Sequence, residues 1–184
     1  MGSRAKSKLT VAEYLKKYEG VEGRHELVDG EVIAMAAETV RHVRAKGRAY
    51  LAFQRAVERA KLDCEVFADG MTIKIDKWTA REPDVSVQCS PIENDDTLLL
   101  DEPVIVVEVI SPSSEFRDVH RTLIEYFSVP SIQHYVIVDQ FKKVVLHNQR
   151  TGADSYMTKI MGKGSLVMKP PGLSISVSEL LGAA

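Results

Sequence analysis

The segment Val104–Ile110 constrains the fold more than any other stretch of the chain. It is apolar on both faces until Glu108, and a strand without a polar face has to be covered on both sides. This predicts a central strand with structure packed above and below it. It also predicts a conflict, because an ionised carboxylate in such a place is costly unless it is paired or bound to a metal. The neighbours of Glu108 leave it little route to solvent.

The surrounding sequence supplies partners for such a strand. Thr10-Val-Ala-Glu13 has the spacing of a capping box and predicts a short helix to about Tyr18. Asp29-Gly30 lies between two apolar stretches and signals a hairpin, since both residues tolerate the left-handed conformation that matches strand twist. A long helix is predicted from Glu38 to Lys61, with Val40, Val43, Gly47, Tyr50, Gln54 and Val57 at helical spacing. Cys64–Ala68 and Met71–Ile75 read as strands joined by a turn at Asp69-Gly70, and Asp84–Cys89 as a further strand. Ser111-Pro-Ser-Ser114 ends the central strand and offers cap residues to a helix over Glu115–Ser128. Beyond it, Tyr135–Val138 reads as a buried strand. Short strands at Val144–Asn148, Ser155–Ile160, Ser165–Met168 and Leu173–Val177 complete the tail. Strands interleaved with two substantial helices indicate an α/β or mixed α+β domain with a mixed sheet.

Composition narrows the function classes. The 184 residues suit one domain with a real core, and 45% hydrophobic with 27% charged residues excludes wholesale disorder. Residues 1–8 are expected to form a flexible segment ahead of a single domain over 9–184. No apolar run approaches the ~20 residues needed to span a bilayer, and nothing near the start resembles a secretory signal, so a cytoplasmic protein is expected. Cys64 and Cys89 lie far from any CxxC or Cys/His cluster and read as small buried thiols of a reducing compartment. With 24 basic and 26 acidic residues the net charge is −2, so nucleic-acid binding would need a local basic patch.

Three acidic residues stand out. Glu108 follows the most apolar strand, Asp84 opens another strand directly after Pro83, and Glu26 begins the first hairpin. Singly, Asp84 could merely cap a strand and Glu26 could sit on a solvated edge. Together, Pro83-Asp84 followed by Glu108 at the end of an apolar strand resembles the PD-(D/E)xK nuclease pattern. There, two carboxylates on adjacent strands hold a hard divalent cation through oxygen, and the metal activates water against a phosphodiester.

The resemblance extends further. Pro83-Asp-Val85, Val106-Val-Glu-Val-Ile-Ser-Pro-Ser113, Asp118, Tyr126 and His134-Tyr-Val-Ile-Val-Asp139, with Glu26-Leu-Val-Asp-Gly-Glu31 and His42 upstream, look like the Uma2 or DUF820 family of restriction-endonuclease-like proteins, over roughly residues 8 to 180. It implies a restriction-endonuclease-like fold, a mixed β-sheet core flanked by helices with additional antiparallel strands. It also implies Mg²⁺ (or Mn²⁺) dependence, action on DNA, and homodimers. By the same resemblance Asp84 and Glu108 match the metal-binding carboxylates and the carbonyl of Val109 could add an oxygen. Glu26 matches an auxiliary acidic residue. His42 matches a recurrent histidine, which is either catalytic or a helix-end residue bonded within the fold. Asp118 matches the aspartate of the following helix.

The chain departs from the pattern at the lysine. The position two after Glu108 is Ile110, and Thr122 stands where relatives carry a lysine on the helix, four residues after Asp118. Arg121 is adjacent but points to another side of the helix, and a guanidinium can stabilise charge without acting as a base. On the long helix Arg41, Arg44, Arg48, Arg55 and Arg59 share one face. That stripe either follows a phosphate backbone or is a solvated, ion-paired surface. Two readings result: a metal-dependent endonuclease using Glu26, Asp84, Glu108 and Arg121 or Thr122, or a nuclease-fold protein that binds nucleic acid or another macromolecule without cleaving it.

Overall fold

The computed structural model describes residues 8–110 and 116–182, with the backbone alone for 116–119. In chain order the elements are α1 (Val11–Tyr18), β1 (His25–Val28), β2 (Glu31–Ala34), α2 (Val40–Ala60), β3 (Glu65–Ala68), β4 (Ile73–Lys74), β5 (Ala80–Arg81) and β6 (Val85–Gln88). They continue with β7 (Pro103–Val109), α3 (Phe116–Ser128), β8 (His134–Asp139), β9 (Val144–Gly152), β10 (Ser155–Met161), β11 (Ser165–Met168), β12 (Leu173–Ser176) and α4 (Val177–Leu181). Residues 1–7 and the cap residues Ser111–Ser114 expected ahead of α3 lie outside the described residues.

The predicted central strand is central. β7 sits inside a six-stranded sheet of order β10-β9-β8-β7-β6-β3, antiparallel to β6 and parallel to β8. Its alternate residues enter different cores. Ile105, Val107 and Val109 pack with Ala49, Phe53 and Ala56 of α2, whereas Val106 packs with Leu123 and Tyr126 of α3 and with Tyr135 and Ile137 of β8. Glu108 is in step with Val106 and so faces α3. The parallel step from β7 to β8 needs a crossover, and α3 provides it.

A four-stranded sheet of order β2-β1-β5-β4 holds the N-terminal part, with Val11 and Tyr14 of α1 packed on Leu27 and Ala80. The hairpin forms as read: Asp29 and Gly30 have φ of 51° and 81°, both left-handed, and Val28 pairs with Glu31. The Thr10/Glu13 capping box is also present.

Four features correct the sequence reading. Asp69-Gly70 does form a turn, but the strands it joins part company, β3 pairing with β6 and β4 with β5. The buried stripe of α2 is Ala45, Ala49, Ala52, Phe53, Ala56 and Val57, while Val40 and Val43 are exposed. Small alanines let the helix lie close against the sheet, which outweighs the hydrophobicity of the two valines. Cys64 and Cys89, expected as free thiols, face each other at the end of the β3/β6 ladder and are joined as a disulfide. The sequence reading also lacked α4, whose own capping box uses Ser176 and Glu179.

A buried histidine pair ties β8 to β9. His134 Nε2 lies 2.8 Å from the Pro170 carbonyl, which only accepts, so that nitrogen carries the proton. His134 Nδ1 must then accept from His147 Nε2, at 3.0 Å. Burial, followed by the charges of His134 and Lys159, pushes the His147 imidazole down from 6.5 to about 4. The unfolded chain therefore binds this proton first as pH falls. The stability that neutral His147 contributes is complete above pH 6.5 and is lost as pH falls toward about 4. The urea midpoint should drop between pH 7 and 5, and His147→Gln should flatten that part of the profile. Equal slopes in the two proteins would remove His147 as the cause.

Candidate active site

Asp84 immediately precedes β6. Continuing the register Val85↔Val107 by one residue sets it opposite Glu108. The Val109 amide donates to Asp84 Oδ2 at 2.7 Å, so Val109 touches Asp84 through its N–H. Glu108 Oε1 accepts from the Tyr126 hydroxyl at 2.7 Å. The residue keeps some surface exposure, yet its carboxyl lies deep among protein atoms. Burial, and then the charge of Asp84, hold Glu108 well above the ordinary carboxylate range. Asp84 moves the other way. Burial alone would raise it, but His42, the Val109 amide and the Lys46 ammonium outweigh burial and keep it ionised.

The first turns of α2 bring a second set of groups. Glu38 stands just ahead of the Thr39 N-cap, and His42 and Lys46, four residues apart on one side of α2, both approach Glu38. His42 Nε2 is 3.8 Å from both Glu38 Oε1 and Asp84 Oδ2, and its Nδ1 is buried without a hydrogen bond among the described residues. Lys46 is the surprise, with a side chain only 7% exposed. Its Nζ is 2.6 Å from Glu38 Oε1 and 3.3 Å from Asp84 Oδ1, and it also bonds Asp69. Burial would lower its pKa, but the bonds to Asp69 and Glu38 and the charge of Asp84 raise it, so it stays charged. Arg24 completes the cluster with contacts to Glu38 at 2.8 Å, Asp69 at 3.0 Å and Glu82 at 2.7 Å. Among the described residues, ligand atoms of Glu38, His42 and Asp84 lie within 4.8 Å of one another, as a metal-binding group would.

Glu26 stands in a neighbouring network. Its carboxylate accepts from Arg81 Nη1 at 2.8 Å and from the Glu82 amide at 3.1 Å. Arg81 also holds Glu125 at 2.7 Å, and Glu125 in turn holds Arg121 at 2.7 Å. Arg121 reaches on to Asp29 at 2.8 Å. Its guanidinium is thus committed at the surface, consistent with its expected orientation away from the core. Thr122 is partly buried on α3, and the side chain of Asp118 lies outside the described residues.

Three of the five arginines share a surface feature. Arg41, Arg44 and Arg48 line a groove of about 750 Å³ together with Phe141 and Lys143. Arg41 and Phe141 also border a small recess against His42, Val109 and Ile110. Arg59 instead pairs with Glu179 of α4 at 3.2 Å. The sequence reading missed Glu38, Lys46, Asp69 and Arg24. The four-residue spacing of Glu38, His42 and Lys46 was the available signal. Asp69 and Arg24 join only through the fold.

The fold is that of a DUF820 protein. It matches the crystal structure of "a putative nuclease belonging to DUF820" from Anabaena variabilis with a TM-score of 0.76 and 17% identity, covering 94% of this chain and 97% of that one. Two Synechocystis proteins are similar in sequence. The uncharacterized protein slr1290 is 30% identical over 177 residues, 94% of this chain and 91% of the relative. The uncharacterized protein sll1609 is 28% identical over 165 residues, 85% and 90% of the two chains. This chain belongs to the Uma2 family, described as "Putative restriction endonuclease", whose profile matches residues 11–181.

Arg81 is the common counter-charge of Glu26 and Glu125. Arg81→Met should destabilise the protein by about 2–4 kcal/mol, between an exposed bridge and a fully buried pair, because two partly buried carboxylates lose their cation, as measured by urea unfolding at neutral pH. A loss below about 1 kcal/mol would mean that the pairs act as ordinary surface bridges.

Proposed function

We propose that this protein is a divalent-metal-dependent endonuclease acting on DNA. The observation that carries the reading is the cross-strand placement of Asp84 and Glu108 at the end of β7. Two facing carboxylates offer a hard, oxygen-rich donor set, which suits Mg²⁺ or Mn²⁺. Asp84 and Glu108 would hold the ion, with the Val109 carbonyl, Glu38 and His42 as further donors close by. Such an ion supplies Lewis acidity at the phosphate and a more acidic water.

The chain's own residues prepare the site. His42, the Val109 amide and Lys46 keep Asp84 charged. The Tyr126 hydroxyl orients Glu108. Glu26, fixed by Arg81 and the Glu82 amide, serves as an auxiliary acidic group. The groove of Arg41, Arg44 and Arg48 would carry the phosphate backbone toward His42 and Val109, each neutralised phosphate adding counterion-release affinity. Cutting both strands of a duplex calls for paired sites, so a two-fold homodimer belongs to this reading.

Wild-type protein should nick supercoiled DNA with Mg²⁺ or Mn²⁺ and fall silent in chelator. Asp84→Asn and Glu108→Gln should each abolish nicking while keeping a cooperative fold. Arg44→Glu should weaken DNA binding and make its salt slope shallower by about one phosphate or more. Ile110 and Thr122, where a lysine is expected, favour a second reading of binding without cleavage. Steep salt-dependent binding with no nicking in either ion would select it.

A further inference from the structure

We infer that Lys46 is the lysine this site lacks at positions 110 and 122, held in store against the acidic cluster. The inference rests on the metal-dependent nuclease reading above. A lysine ammonium can donate three hydrogens; here it hydrogen-bonds Glu38 and Asp69, and Asp84 Oδ1 stands 3.3 Å away as an ion-pair partner. Two of those carboxylates, Glu38 and Asp84, belong to the group whose ligand atoms could converge on a metal ion. Lys46 and a divalent cation therefore compete for the same oxygens.

The competition gives the residue two roles. Without a divalent ion, Lys46 balances the acids, which would otherwise repel one another around the buried Asp84. With Glu38 and Asp84 committed to a divalent ion, the ammonium would keep only its bond to Asp69, and its other hydrogens could go to a phosphodiester oxygen. The other nearby cations would lose fewer partners to such an ion, Arg24 only Glu38, and Arg81 and Arg121 none, although Arg24 Nη2 is buried without a hydrogen bond among the described residues. Arg24 is bonded to Glu38, Asp69 and Glu82, Arg81 to Glu26 and Glu125, and Arg121 to Asp29 and Glu125. α2 also places Lys46 one turn beyond His42, on the side of the sheet opposite α3 where Thr122 stands. The positive charge therefore reaches Asp84 from the other face.

This predicts opposite signs for binding and for rate. In Lys46→Met, Mn²⁺ measured by calorimetry should bind more tightly, by 5-fold or more, the low end of common coupling between competing ligands. Metal-dependent nicking should fall on the order of 10²–10³-fold, the usual loss of one well-placed charge-stabilising group. Moving the cation, in Lys46→Met with Thr122→Lys, should restore nicking at least tenfold. A purely structural lysine would instead loosen the cluster, so that metal affinity and rate fell together and Thr122→Lys restored nothing. Should Lys46→Met fail to fold, Lys46→Met with Asp69→Asn removes one charge of each sign and is compared with Asp69→Asn alone. Unchanged or weaker Mn²⁺ binding overturns the inference. A wild type that never nicks overturns the nuclease reading instead, and the calorimetry still decides whether Lys46 competes with the metal.

Discussion

The structure depends on β7 being covered on both faces. Because alternate residues of this strand enter two separate cores, α2 has to lie on one side of the sheet and α3 on the other. The α3 crossover then makes β8 parallel to β7, and β6 completes the pairing from the other side. Where β7 ends, those packed layers end too. Asp84, Glu108, the start of α2 and the face of α3 meet at that margin. There Glu108 meets Tyr126 of α3, and Asp84 meets His42 and Lys46 of α2.

Charge balance sets the finer arrangement. Carboxylates withdrawn from water need a counter-charge or a proton, and the solutions here differ from one residue to the next. Asp84 stays ionised because Lys46, His42 and the Val109 amide surround it. Glu108 has a phenol as its bonded partner and is pushed toward the protonated form. Glu26 and Glu125 share Arg81. Two carboxylates in such different states, a strand apart, suit a site in which a cation arrives later. The basic groove beside His42 adds a local positive surface to a protein whose net charge is slightly negative.

Much of the fold was legible because it follows from local rules. The Asp29-Gly30 turn, the Thr10 capping box and the apolar Val104–Ile110 strand depend on neighbours in sequence, and each appears where expected. The α2 face was misread because valines were weighted over alanines, whereas close helix–sheet approach favours the smaller side chains. The cysteine pair was missed for a related reason. Cys64 and Cys89 become neighbours only through the antiparallel pairing of β3 with β6, a contact that neither local sequence encodes.

The sequence by itself determined the central strand and its misplaced carboxylate, because period and apolar patterning are properties of short segments, and it singled out Asp84 as the expected second acid. It also showed that positions 110 and 122 hold no lysine. Only the tertiary structure decided where positive charge enters. Lys46 comes from α2, Arg24 from the segment before β1 and Arg81 from β5, and they converge on acids spread from Glu26 to Glu125. Electrostatic pairing acts through space at a few ångströms, and residues that distant in sequence acquire such distances only when the layers pack.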